Sequence, residues 1–236
     1  PSIDVNFSDA LTGTKQIKML GLTSPYLVIT EENIPSVRGA SQVYGLSFTP
    51  GTWVESIQIT KGAGSVVNGY ESISGQINTE LIKPINDIPF FLNAYGSTDS
   101  RFELNTHFNK PLSDKWSSSL FLHGNTRTAK MDNNRDGFLD NPLAKQINVL
   151  NRYQYYDAEK GWVSFINLRY MKDEKQTGQH HFNPVVDKGT TNYWGSEINT
   201  ERLDIATKLG YVFKDLPYQS IGFQNAFNSH NQQSYF

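Results

Sequence analysis

The chain has 236 residues, 23 acidic against 21 basic side chains, and no cysteine. A net charge of −2 gives no broad attraction to nucleic acid, and the lack of cysteine removes disulfide frameworks and thiolate metal sites from consideration. Hydrophobic content is 37%, low beside 12 Tyr and 14 Phe, and no run of about 18 apolar residues exists. That pairing suits strands that are apolar on one side only, and it excludes a transmembrane helix.

Residues 1–84 have a mixed pattern that predicts a small α+β unit. SDALTGTKQIKMLGL (8–22) predicts a short helix with Ser8 as N-cap. PYLVITEENIP (25–35) predicts a strand ended by Pro35, and WVESIQITKG (53–62) a second, alternating one. The glycine-rich stretch that follows invites a nucleotide reading, which its spacing rejects. Gly62 and Gly64 suit a G-x-G-x-x-G fingerprint, but Val67 stands at its third glycine. Gly64 and Gly69 suit a P-loop, but Tyr70 and Glu71 follow instead of Lys and Ser/Thr. The glycines therefore serve backbone geometry. At least one of Gly62, Gly69 and Gly75 is expected at positive φ, letting the segment pass close to a neighbouring wall.

After Pro84 the pattern becomes strictly period two. In RFELNTHFN (101–109), Phe102, Leu104, Thr106 and Phe108 share one face, and Arg101, Glu103, Asn105 and His107 the other. About seven such strands are predicted, near 89–98, 101–110, 115–127, 146–157, 161–173, 201–213 and 219–229. They are longer than the usual five or six residues and match the roughly 9–11 residues of a tilted bilayer crossing. Short turns at 111–115, 157–161 and 214–218 alternate with insertions at 128–145 and 174–200. The first hairpin, turning at Asp99 and Ser100, is short although it falls on the long-loop edge. This is the layout of an antiparallel transmembrane β-barrel. A soluble sandwich or lipocalin-like barrel is the competing architecture, but it would fill its interior with apolar side chains, not Arg101, Glu103, Arg202 and Asp204. Trp116, Trp162, Tyr153, Tyr155 and Tyr170 are read as an interfacial aromatic girdle.

The stretch IQITKGAGSVVNGYESISGQIN (57–78) resembles the end of the plug domain of TonB-dependent outer-membrane transporters, with Lys61, Gly62, Ser65, Gly69, Gly75, Ile77 and Asn78 at the family's positions. Residues 8–35 resemble an earlier plug segment, with Leu20-Gly21 where the family usually has Arg-Gly and Glu32-Asn33 where it has Asp-Gly. YGLSFTPGTWVESIQITKG (44–62) is similar to the Bacteroidetes-type branch, some of whose members are labelled cobalamin- or metal-receptor-like. The resemblance implies a plug over residues 1–84, N-terminally incomplete. Residues 85–236 would then be the first part of a 22-stranded barrel in the outer membrane, in contact with its lipid. It also implies energised uptake of a scarce nutrient such as a metal chelate or cobalamin, driven by TonB through a segment preceding Pro1. A barrel serving as scaffold for a surface lipoprotein or a secretion complex is the alternative, and a soluble carbohydrate-binding β-domain a third.

Two motifs carry possible chemistry. DNNRDGFLD (132–140) fits most of an EF-hand-like loop: Asp132, Asn134, Asp136 and Asp140 would offer side-chain oxygens and Phe138 its carbonyl to a structural Ca²⁺. Leu143 stands where the bidentate Glu belongs, and Arg135 competes for the same charge. His180 and His181 lie adjacent in a long loop, where neighbouring side chains of an extended segment point apart. No catalytic signature is present, and an enzyme is not expected.

Overall fold

The computed structural model describes residues 2–9, 13–64, 71–216 and 218–236, which form strands and short 3-10 turns with no α-helix. The helix expected over 8–22 is a correction. β1 (Ile3–Asp9), which includes Ser8, and β2 (Thr14–Met19) form an antiparallel pair, with Val5 opposite Ile17 and Ile3 opposite Met19. Ile17 and Met19 alternate with Gln16 and Lys18, a period of two that outweighs the capping signal. The N-terminal region is thus all-β rather than α+β.

β3 (Leu27–Glu31), β4 (Ile34–Val37), β5 (Val54–Lys61) and β6 (Gly75–Leu81) build a mixed sheet in the order β4-β3-β6-β5, with β3 and β6 parallel. Pro35 does not end the strand predicted over 25–35, which is instead the two strands of a hairpin. Pro35 lies inside edge strand β4, where a missing N–H is tolerated. Glu32 (φ 55°) and Asn33 (φ 61°) are both left-handed, as a two-residue hairpin turn of the I′ kind requires. Leu20 (φ 52°) and Gly21 (φ 79°) form a second such turn, closed by reciprocal Met19–Leu22 backbone bonds. Both departures from the family's residues therefore keep a left-handed turn.

Gly62 (φ 85°) and Gly75 (φ 150°) have the expected positive φ, and Gly69 lies outside the described residues. A methyl group on Gly75 would overlap the Thr60 carbonyl and the Met19 sulfur. The close approach is thus within the N-terminal region, not against the neighbouring long sheet. The N–H groups of Gly62 and Gly64 bond to the carbonyls of Ser74 and Ser72, so they close the loop and are not held open for a phosphate.

The remaining strands form one antiparallel sheet in chain order: β7 (Phe90–Gly96), β8 (Arg101–Pro111), β9 (Trp116–Arg127), β10 (Leu143–Asp157), β11 (Trp162–Gly178), β12 (Gly195–Val212) and β13 (Ser220–Tyr235). Connections 112–115, 158–161 and 213–219 lie on one edge, and 97–100, 128–142 and 179–194 on the other. Parity is as the sequence predicts. Phe102, Leu104, Phe108, Leu168 and Leu203 are exposed on the outer face, while Asn105, His107, Arg169 and Arg202 are buried on the inner face. Trp116 packs on Tyr155 and Trp162 on Tyr211 near the short-turn edge, at ring separations of 5.1 and 4.7 Å. Tyr153 and Tyr170 sit mid-strand instead, opposite Ile166 and Val149.

Candidate functional site

The N-terminal region docks on the inner face of the long sheet. An apolar cluster of Trp53, Leu81, Phe121 and Leu150 joins the two, with the Trp53 and Phe121 rings 5.5 Å apart. Around it the joint is polar. Three arginines on consecutive strands β10, β11 and β12 each reach the β3–β4 hairpin. Arg152 donates to Glu32 at 2.6 Å, Arg169 donates to both oxygens of Glu31 at 3.1 and 2.9 Å, and Arg202 donates to the Ser36 carbonyl. Thr49 closes a triangle, donating to Glu31 at 3.1 Å and accepting from Arg169 at 3.4 Å. Asn148 and Gln146 donate to the carbonyls of Phe48 and Ser47. The guanidinium groups of Arg169 and Arg202 also lie over the Trp53 and Phe48 rings.

The Arg152–Glu32 pair is the deepest, with side chains 1% and 6% exposed. Desolvation of such a pair offsets much of its attraction, so further hydrogen bonds are needed, and the Leu81 N–H supplies one to Glu32. Burial pushes the Glu32 carboxyl above the ordinary glutamate range, Arg152 pulls it back, and nearby Glu80 adds to the rise. Glu32 thus combines a left-handed backbone, burial and a raised carboxyl. Such a joint holds position, yet it can part with less exposed apolar surface than a continuous hydrophobic interface, because its polar groups regain water.

The segment after β6 is fastened separately. Asp87 meets His107 Nε2 at 2.6 Å and accepts from Asn109 at 2.8 Å, and Asn109 also donates to the Ile88 carbonyl. His107 stacks on Phe91 and abuts Phe121, so this fastening adjoins the apolar cluster.

In the 132–140 loop, Asp132 accepts from the N–H groups of Asp136 and Gly137 at 3.1 and 3.0 Å. Asp136 accepts from the Phe138 N–H and from the Asn134 side chain, and Asp140 accepts from Asn133. These oxygens fold the loop on itself, with Arg135 (φ 59°) and Gly137 (φ 85°) left-handed. Among the described residues, no three Asp, Glu, His or Cys side chains group as a metal site. His180 and His181 meet edge to face at 5.1 Å, and His181 faces Tyr193. The two long loops are joined where the His180 N–H bonds the Gly137 carbonyl and the Leu139 N–H the Gly178 carbonyl.

The sequence placed Arg169 and Arg202 on polar faces and marked Glu32 only as a turn residue, and it did not single out Arg152 or Glu31. Inward parity on three neighbouring strands was the available signal. Their partners lie 120 and 138 residues away, so no local pattern links them.

No family model and no curated protein matches this chain. Solved structures do. The ferric-catecholate import receptor Fiu from E. coli K12, in its open form, aligns at a TM-score of 0.65 and 15% identity, over 98% of this chain and 35% of Fiu. The FrpB iron transporter from Neisseria meningitidis aligns at 0.64 and 14% identity, over 99% of this chain and 37% of FrpB. The ferripyoverdine receptor of the outer membrane of Pseudomonas aeruginosa aligns at 0.59 and 12% identity, over 100% and 40%. The chain therefore spans little more than a third of these receptors. It has the fold of TonB-dependent iron and siderophore receptors, the family that residues 57–78 resemble.

Proposed function

We propose that the chain is the plug, over residues 1–84, and the first barrel strands, over 85–236, of an outer-membrane receptor. In this reading it takes up a metal chelate or cobalamin and is not an enzyme. The observation that carries it is the fastening of the β3–β4 hairpin to Arg152, Arg169 and Arg202, in a fold shared with iron import receptors. A module fixed inside a barrel wall by polar contacts blocks passage until those contacts part. TonB would supply the pull through a segment outside these residues, and the exposed face of Phe102, Leu104 and Leu168 would meet lipid. The test is uptake of labelled ferric chelates and cobalamin by cells carrying the full-length receptor, with and without TonB. Uptake that needs both supports the reading, and equal uptake without either removes it.

For the 132–140 loop we propose a weak structural Ca²⁺ held by Asp132, Asn134, Asp136, Asp140 and the Phe138 carbonyl, with these side chains leaving their present partners. Millimolar calcium, suited to sites of roughly 10⁻⁴–10⁻³ M affinity, should slow proteolysis of this loop, and Asp132→Asn should abolish the protection. Unchanged cleavage in calcium excludes the ion.

A further inference from the structure

The inner face carries a row of cations near the long-loop edge. Register sets Arg101 of β8 opposite Arg127 of β9, Arg127 opposite Ala144 of β10, and Ala144 opposite Lys175 of β11. At about 4.8 Å between strands, the row spans roughly 14 Å. Like charges directly opposite each other on neighbouring strands are unfavourable unless something lies between or above them. Each of the three is held by one carboxylate: Arg101 by Glu103 at 2.7 Å, Arg127 by Asp99 at 2.7 Å and Lys175 by Asp173 at 3.1 Å. Glu103 and Asp173 belong to the next inward row, two residues along their strands. They hold their cations from one side only. The Arg127 Nε is buried with no hydrogen-bond partner.

The N-terminal region closes this row into a cleft of about 480 Å³. Phe7 and Tyr44 wall it opposite the sheet, with Lys15 over the Phe7 ring and Lys175 over the Tyr44 ring. Among the described residues, its lining has four cations, Lys15, Arg101, Arg127 and Lys175, and no carboxylate. An adjoining cavity of about 310 Å³ shares Arg101, Arg127, Ala144 and Lys175 and contains Glu103 and Asp173. Ala144 matters by its size, because a longer side chain would fill the gap between Arg127 and Lys175.

We propose that this cleft binds a multiply anionic ligand with an apolar or aromatic body. It thereby selects an anionic metal chelate over a neutral chelate or a corrinoid. The inference rests on the import reading for its setting. Guanidinium groups match paired oxygen acceptors in a plane, as a catecholate or carboxylate chelate presents them. An anion bound across the row would relieve the Arg101–Arg127 repulsion. Phe7 and Tyr44 would cover the ligand's apolar part.

The test uses the full-length receptor in detergent. Ferric tris(2,3-dihydroxybenzoate) and ferric citrate serve as anionic probes, and a neutral ferric trihydroxamate and cyanocobalamin as controls. At least one anionic probe should bind more tightly than both controls and lose affinity as salt rises. Arg127→Gln should weaken it at least tenfold. Ala144→Glu should weaken it as much while keeping the fold, because the new carboxylate pairs with Arg127 and Lys175 internally; thermal unfolding confirms that each variant is intact. Equal or tighter binding of a control, failure of both anionic probes to bind, or unchanged affinity in a folded Ala144→Glu variant overturns the proposal. Binding as described without TonB-dependent uptake overturns the import reading and leaves the site standing. Energised uptake of a neutral ligand alone does the reverse.

Discussion

The two faces of the long sheet reverse the usual arrangement of a protein. The outer face leaves Phe102, Leu104, Leu168 and Leu203 uncovered, while the inner face buries Arg152, Asn148, Asn105 and Arg169. Ordinary water-soluble folding would not choose this, since large apolar side chains gain most from leaving water and charged ones lose most. The outer face therefore suits an apolar surrounding. The inner face is tolerable because its charges have partners, Arg152 and Arg169 on the N-terminal region and Arg101, Arg127 and Lys175 along the sheet itself. Burial here follows partnership rather than hydrophobicity.

Breaking a partnership should have the largest effect. Arg152→Ala leaves Glu32 buried and unpaired and should cost about 3–5 kcal/mol. The double variant Arg152→Met/Glu32→Gln should recover most of that in denaturant unfolding of the full receptor. If the single and double variants unfold alike, the pair does not hold the hairpin. Next comes the outer face. Leu104→Arg should impair assembly into lipid vesicles by about 2–4 kcal/mol if that face meets the bilayer. Leu104→Ala should assemble much better than Leu104→Arg, and equal assembly would argue for a watery surrounding. Inside the N-terminal region, Gly75→Ala should cost about 1–3 kcal/mol through overlap with Thr60 and Met19, read as a lowered unfolding midpoint.

The smallest effect is one of pH. Burial raises the Glu32 carboxyl above its free value of 4.5, so the docked region holds that proton more tightly than the undocked one. Docking is favoured at acid pH, and this contribution is lost as pH rises through the raised value. Proteolysis of the N-terminal region should therefore slow as pH falls toward 4.5, and Glu32→Gln should flatten the profile. A wild-type profile as flat as the variant's would show that Arg152 cancels the burial.

Most of the long sheet was legible because each strand repeats one rule. Leu104, Leu168 and Leu203 follow the same parity, and one correct assignment fixes a whole strand. The N-terminal hairpin misled because Ser8 offered a helix cap beside a short alternation. Ile3, Val5 and Ile17 reveal the hairpin only once β1 and β2 are considered together. The polar joint was illegible for a different reason. Glu32 and Arg152 carry no mark of each other, and Arg101, Arg127 and Lys175 become one row only when the register of four strands is known.

The joint also has a consequence for the order of assembly. Glu32 and Arg152 are 120 residues apart, Glu31 and Arg169 138, and Ser36 and Arg202 166. During synthesis the hairpin emerges long before the strands that hold it. Contacts of such high order are slow to close, because the chain between them must first be confined. Glu32 and Glu31 should therefore remain without Arg152 and Arg169 until β10 and β11 have formed, and Ser36 without Arg202 until β12 has joined the sheet. In a refolding experiment, shielding of the Trp53 ring from oxidative labelling, which its packing on Phe121 provides, should follow protection of the amides of the β10–β11 pairing.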